Sequence, residues 1–295
     1  MHRRHFLSTV GGAFLASPLL AIEPIVRPAP ARMRLSLAAY SFQRDLNLKG
    51  KTPPKMTLPQ FIDYAGTLPL DAVELTSYYF AKSAPADLAA IKGQCTKLGL
   101  DVSGSAVGNN FCLRDPAKIE AQLADVKAWI EKTSLLGGKT LRIFAGTLEK
   151  GEDEAKAVGR CVDLIQQACD HAAKFGIFLA LENHGGITGS AEQLLSIVKA
   201  VKHDWFGVNV DTGNFRTADP YADLAKIAPY AVNVQLKTEI APMGQKKQDA
   251  DLAKLIGILK DVNYRGYVAL EYEAEAEPRM AIPPVIDQLR RLIAS

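Results

Sequence analysis

Residues 206–215 read FGVNVDTGNF and residues 177–186 read IFLALENHGG. Each is a short apolar run closed by a carboxylate, Asp211 in the first and Glu182 in the second. Side chains alternate across an extended strand with period two, so Val208 and Val210 share one face while Gly207, Asn209 and Asp211 share the other. Likewise Ile177, Leu179 and Leu181 oppose Phe178, Ala180 and Glu182. Two later stretches repeat the pattern. AVNVQLKT at 231–238 lifts Asn233, Gln235 and Lys237 from one face, and YVALEYE at 267–273 lifts Ala269, Glu271 and Glu273.

Glu182, Asp211, Gln235 and Glu271 follow one another at intervals of 29, 24 and 36 residues. Such spacing suits successive strand ends of a repeating β/α protein better than a helical bundle. The rest of the chain agrees. Strands are expected at 35–40, 72–76, 101–107, 140–145, 177–182, 206–211, 231–237 and 267–272. Helices are expected at 57–66, 86–98, 117–136, 153–174, 190–202, 221–228, 250–261 and 283–294. Gly99, Gly137-Gly138 and Gly176 fall between a helix and the next strand, where a left-handed C-terminal cap is wanted. Eight β/α units in 295 residues with 48% hydrophobic content point to a single-domain (β/α)₈ TIM barrel. No glycine-rich phosphate loop follows the first strand, which argues against a nucleotide-binding sheet. In such a barrel the chemistry sits at the C-terminal strand ends, where the quartet falls.

The N-terminus reads separately. Arg3-Arg4-His5-Phe6-Leu7, followed by an apolar stretch over 10–21, is the pattern of a twin-arginine export signal and implies a periplasmic or otherwise exported protein. The stretch is interrupted by Pro18 and is too short to span a bilayer. Residues 1–31 are read as signal peptide and linker, with cleavage near Ala21 or Ala31, and 32–295 as the barrel. Removing 1–31 takes away Arg3, Arg4, Arg27 and Glu23, so the formal charge falls from +3 to +1. A nearly neutral protein has no electrostatic footprint for nucleic acid or anionic membrane. Cys95, Cys112, Cys161 and Cys169 show no metal-ligand spacing and read as buried free thiols.

Oxygen donors without thiolates suit one hard divalent cation, Mn²⁺ or Mg²⁺ ahead of Zn²⁺. Of five histidines two lie in the signal, and only His184 is placed to face a pocket, which argues against a multi-zinc nuclease centre. Clustered carboxylates repel unless a cation sits among them. The competing reading is a buried ion pair of Glu182 or Glu271 with Lys237 or Arg142. Substrate contacts are expected from His184, Lys237, Asn109, Asn214, Arg216 and Glu74, although asparagines are also common turn formers.

LAAYSF, AVELTSYYF, LRIFAG, LALENHGG, VNVDTGNF, VNVQLK and VALEYE together resemble the xylose isomerase-like TIM-barrel superfamily from about residue 35 to the end. The resemblance implies that Glu182, Asp211 and Glu271 hold a divalent metal and that the two glutamates also move protons. Gln235 stands where the epimerase branch has histidine and is expected to join them as a metal ligand through its carbonyl oxygen, and Asn214 stands where many relatives have another histidine. The implied reaction is α-proton abstraction from a non-phosphorylated sugar or keto-sugar through an enediolate, giving isomerisation or epimerisation. Two alternatives stay open: β-elimination that cleaves a 3-keto-glycoside, and a non-catalytic periplasmic sugar-binding barrel.

Overall fold

A computed structural model describes residues 22–295; the export motif at 3–7 lies outside the described residues. Strands β1 (Arg34–Ala38), β2 (Ala72–Thr76), β3 (Asp101–Ala106), β4 (Thr140–Ile143), β5 (Phe178–Glu182), β6 (Phe206–Asp211), β7 (Ala231–Leu236) and β10 (Tyr267–Leu270) form a closed barrel. All neighbours are parallel, and β1 closes on β10 with Arg34 beside Tyr267 and Leu37 beside Leu270. Helices α1 (Leu58–Gly66), α2 (Pro85–Lys97), α3 (Pro116–Leu136), α4 (Glu154–Phe175), α5 (Ala191–Ala200), α6 (Pro220–Ile227), α7 (Leu252–Asp261) and α8 (Pro278–Ala294) surround it. The eight expected strands and helices are all present. A short antiparallel ribbon that the sequence did not suggest, β8 (Glu239–Ile240) with β9 (Gln248–Asp249), rises from the loop after β7.

The hydrophobic core lies between barrel and helices, where Leu179, Leu181, Val208, Val210, Val234 and Leu236 are buried with Ile165, Ile197 and Leu224 of the helices. The barrel interior is different. Barrels of this kind usually fill it with branched apolar side chains; here Ser36, Glu74, Arg142, Asn209, Asn233 and Gln235 are buried instead. Residues at one register level of a parallel barrel share a face, so the long polar chains need small neighbours. Glu74 sits beside Ala38 and Gly104, Arg142 between Ala106 and Ala180, and Gln235 beside Ala269.

Helix ends follow local chemistry. Asp115, Asp153, Ser190, Asp219 and Asp251 each accept a hydrogen bond from a first-turn N–H, and Gly137 and Gly176 take the left-handed conformation past α3 and α4. The last helix begins five residues before the expected 283, at Pro278 behind its Glu277 cap. Pro283 and Pro284 read as a helix start but lie inside it. Pro283 has no N–H for the Arg279 carbonyl, and the Tyr64 hydroxyl donates to that oxygen instead, at 3.4 Å.

The segment read as linker is part of the packed body from residue 22. The Ile25 N–H donates to the Pro229 carbonyl, Arg27 donates to the Ala231 carbonyl, and Arg265 donates to the Pro28 and Pro30 carbonyls. The Arg27 guanidinium also lies over the Tyr264 ring. Among the described residues no helix is long and apolar enough to cross a membrane. A chain starting at residue 32 should melt about 2–8 °C below one starting at residue 22, reflecting roughly 1–2 kcal/mol of lost strap contacts. Thermal unfolding of the two truncations checks this.

Candidate active site

β5, β6, β7 and β10 are consecutive in the barrel, so their C-terminal ends form one continuous arc. Glu182 ends β5, Asp211 ends β6, Gln235 lies one residue inside the end of β7, and Glu271 follows β10. Lys237, just past β7, stands at the middle of this arc. Its ammonium Nζ is 2.7 Å from Glu273 Oε2, 3.1 Å from Asp211 Oδ2 and 3.5 Å from Glu271 Oε2. It also donates to Asn214 Oδ1 at 3.2 Å.

Four consecutive residues build the seat for this side chain. Asp211 supplies the charge, and the Thr212 hydroxyl accepts from the Lys237 N–H at 2.8 Å. A Cβ at Gly213 would come within 2.8 Å of Lys237 Cδ, so only glycine leaves room for the stem there. Asn214 then accepts from the ammonium and donates through Nδ2 to Glu182 Oε1 at 2.8 Å.

A second buried cation answers Glu182. Arg142 Nε lies 2.8 Å from Glu182 Oε2, its Nη1 donates to the Val107 carbonyl at 3.0 Å, and the guanidinium rests 4.0 Å from the Phe144 ring centre. Neither Glu182 Oε2 nor Asp211 Oδ2 has a well-directed hydrogen bond, so each contact with its cation is coulombic. Arg142, weighed from sequence only as an ion-pair partner, is thus central to the site. A lone arginine in the apolar run LRIF is the signal that carries it.

Beneath the cluster lies a closed ring of hydrogen bonds. Gln235 Nε2 donates to Glu74 Oε1 at 2.5 Å, and Asn233 Nδ2 donates to Glu74 Oε2 at 2.9 Å. Asn233 also donates to Asn209 Oδ1 at 2.8 Å, and Asn209 Nδ2 donates to Gln235 Oε1 at 2.6 Å. This places two expected residues differently. Glu74 is fully buried, and both of its oxygens accept hydrogen bonds within the interior. Gln235 spends its amide oxygen on Asn209, so that oxygen is not directed at the arc.

Other expected contacts divide. His184 and Asn109 line a cavity of about 240 Å³ with Asn110, Phe144 and Thr188. Asn109, however, donates to the Phe144 carbonyl at 2.7 Å and accepts from its N–H at 2.8 Å, so its amide staples the loop and has little left for a ligand. The His184 ring packs on Phe144. Burial, helped by the Arg142 charge, holds its pKa below the ordinary histidine value, which favours the neutral form. Asn214 and Arg216 line a small recess with Lys237 and Glu273. Glu273 also lines the adjoining cavity of about 500 Å³ between the loops after β1 and β10, together with Arg44, Tyr272 and Arg279.

Burial dominates the electrostatics. It pushes Glu182 up to about 7 despite Arg142, with Asp211 adding repulsion. It pushes Glu271 well above the usual carboxylate range despite Lys237. Burial alone would lower Lys237, but Asp211, Glu271 and Glu273 reverse that and hold its ammonium firmly protonated. Four carboxylates face two cations, so a proton kept on one glutamate relieves the imbalance.

This donor set does not fit a divalent cation as folded. Six oxygens at about 2.0–2.2 Å are the requirement for Mg²⁺ or Mn²⁺. Here Lys237 stands between Asp211 and Glu271, Arg142 holds Glu182, and the Gln235 oxygen is engaged below. Among the described residues no three His, Cys, Asp or Glu side chains converge as ligands would. The expected quartet is brought to one arc but not to one point.

A family model described as xylose isomerase-like TIM barrel matches residues 62–292. D-psicose 3-epimerase from Clostridium cellulolyticum H10, solved with D-tagatose, superposes with a TM-score of 0.73 at 13% identity, covering 88% of this chain and 99% of that one. The 3-keto-D-glucoside 4-epimerase from E. coli gives 0.67 at 15%, covering 88% and 99%. The IOLI protein, solved with a bound zinc atom, gives 0.69 at 18%, covering 88% and 96%. No curated protein matches the sequence. At these identities the likeness speaks for the fold.

Arg142→Met would leave the Glu182 carboxylate buried without its cation. Its unfolding free energy in urea should drop by about 3–5 kcal/mol, the size expected for a broken buried pair. A loss under about 1 kcal/mol would show that the pair carries little.

Proposed function

The chain belongs to the xylose isomerase-like TIM barrel family, and on that premise we propose that it is a sugar isomerase or epimerase acting by α-proton transfer on a non-phosphorylated sugar or keto-sugar. The observation that carries this reading is the pair of buried glutamates, Glu182 against Arg142 and Glu271 beside the Lys237 ammonium, both held above the ordinary carboxylate range by burial. General acid–base chemistry at neutral pH needs carboxyl groups tuned in this direction. The epimerase names of the similar structures support it in the same sense.

One glutamate, as carboxylate, takes the proton on the carbon next to the sugar carbonyl. The C–H electron pair moves into the carbon–carbon bond, and the carbonyl π pair moves onto its oxygen, giving an enediolate. The Lys237 ammonium is the preorganised charge that stabilises this oxygen. The other glutamate, in its acid form, returns a proton. Return to the opposite face of the same carbon inverts it; return to the former carbonyl carbon isomerises the sugar, provided that the proton of the neighbouring hydroxyl passes to the former carbonyl oxygen as the new carbonyl forms. The proton count is unchanged and nothing is oxidised overall.

The charge balance speaks for an uncharged substrate. Lys237 and Arg142 are both engaged by carboxylates, and the cluster retains excess negative charge that repels a phosphate. The twin-arginine pattern of the sequence supports a substrate met outside the cytoplasm. The 500 Å³ cavity beside Glu273 is large enough for more than one ring, which favours β-elimination from a 3-keto-glycoside as the second reading.

Incubation with ketoses and 3-keto-glycosides in D₂O should place deuterium α to the carbonyl, read by mass spectrometry. Tight sugar binding with neither deuterium nor product would instead identify a binding protein. Glu271→Gln and Glu182→Gln should each slow exchange by at least about 100-fold while changing sugar affinity by less than about tenfold. Full exchange in either variant would remove that residue from its role.

A further inference from the structure

We propose that the Lys237 ammonium is the resident cation of this centre, holding the place between Asp211 and Glu271 where a divalent ion would otherwise sit. Its catalytic meaning rests on the reading above; its binding test does not. Lysine offers three donors and no acceptor. Asn214 Oδ1 accepts one of them at 3.2 Å, and the Glu273, Asp211 and Glu271 carboxylates surround the charge at 2.7, 3.1 and 3.5 Å. This ammonium is therefore fully partnered within the site rather than resting on its edge.

The surroundings are shaped for a lysine and against an inorganic ion. The stem passes over Gly213, where a Cβ would also meet the Glu239 carbonyl at 2.8 Å, so backbone fixes its path from the other side. The backbone N–H is fixed by Thr212. A metal bound to Asp211 Oδ2 at about 2.1 Å would lie against the ammonium that now contacts the same oxygen, and two like charges that close repel strongly at low dielectric. Leaving would strand a positively charged side chain that is nine-tenths buried.

The centre thus carries a single positive charge in place of a double charge with open coordination positions. Of the three carboxylates around the ammonium, Glu273 is the most exposed, at 24%, and it borders both the recess and the larger cavity. A substrate oxygen reaches Lys237 by taking the place of the Glu273 carboxylate.

The test uses Mn²⁺ alone. The purified protein should contain well under one transition metal per chain by elemental analysis, and calorimetric titration should show no saturable Mn²⁺ binding up to about 1 mM. Lys237→Met keeps the length of the stem, removes the charge and should acquire saturable binding below about 100 μM. Lys237→Gln serves if the methionine variant fails to fold by circular dichroism. Stoichiometric Mn²⁺ binding by the unaltered protein overturns the proposal, and so does a folded Lys237 variant that gains none. Failure of the sugar reading is separate: it appears as no deuterium incorporation, with or without added Mn²⁺, whichever way the titration falls.

Discussion

The contact between Lys237 and Asp211 is the interaction around which the barrel mouth is arranged. Removing a charge from water costs several kcal/mol unless a counter-charge and hydrogen bonds replace the lost solvent. At the mouth that condition is met by reciprocity. Asp211 needs a cation, Lys237 needs three acceptors, Asn214 supplies one of them and uses its other end to hold Glu182, and Glu182 is answered by Arg142. The partners come from four adjacent strands, β4 to β7, or the loops directly beyond them. The chemistry of the site and the closure of the barrel are therefore mutually dependent.

The same accounting explains the barrel's unusual filling. An apolar interior could not lie directly beneath a layer of charges without leaving polar atoms unsatisfied. Glu74, Asn233, Asn209 and Gln235 form a graded floor whose amides turn inward to one another and to one carboxylate. The long side chains fit because Ala38, Gly104, Ala106, Ala180 and Ala269 occupy neighbouring register positions. Exchanging one long polar group for another apolar one would leave its partner without a hydrogen bond, so such a network changes as a unit.

Much of this was legible in the sequence because period-two alternation fixes which side chains share a face. It identified the strands and the inward set Glu182, Asp211, Gln235, Lys237 and Glu271. What alternation cannot carry is who meets whom across a closed barrel. Asn109 and Asn214 look equally suited to a sugar, yet one is consumed by the backbone of Phe144 while the other bridges lysine and glutamate. Glu74 gave no sign of its depth, since a strand residue reads the same at the floor as at the mouth. The expected start of α8 at 283 fell late because Pro283-Pro284 mimics a helix beginning, whereas the helix runs from Pro278 and the Tyr64 hydroxyl takes up the Arg279 carbonyl that Pro283 leaves free. The two departures from the epimerase pattern, Gln235 and Asn214, make sense together. Each amide both donates and accepts here, and a neutral imidazole, with one donor and one acceptor nitrogen in a rigid ring, does not reproduce the same pair of directions.

Glu273 gives the site a built-in rival. A carboxylate tethered within 2.7 Å of the ammonium acts at a high effective concentration, so every incoming oxygen competes with it before binding is observed. Weak hydrogen-bond acceptors and stray small anions lose that contest. A ligand whose oxygen gains negative charge during reaction wins only as that charge develops, which lets the tether discriminate against the resting substrate in favour of the reacting one.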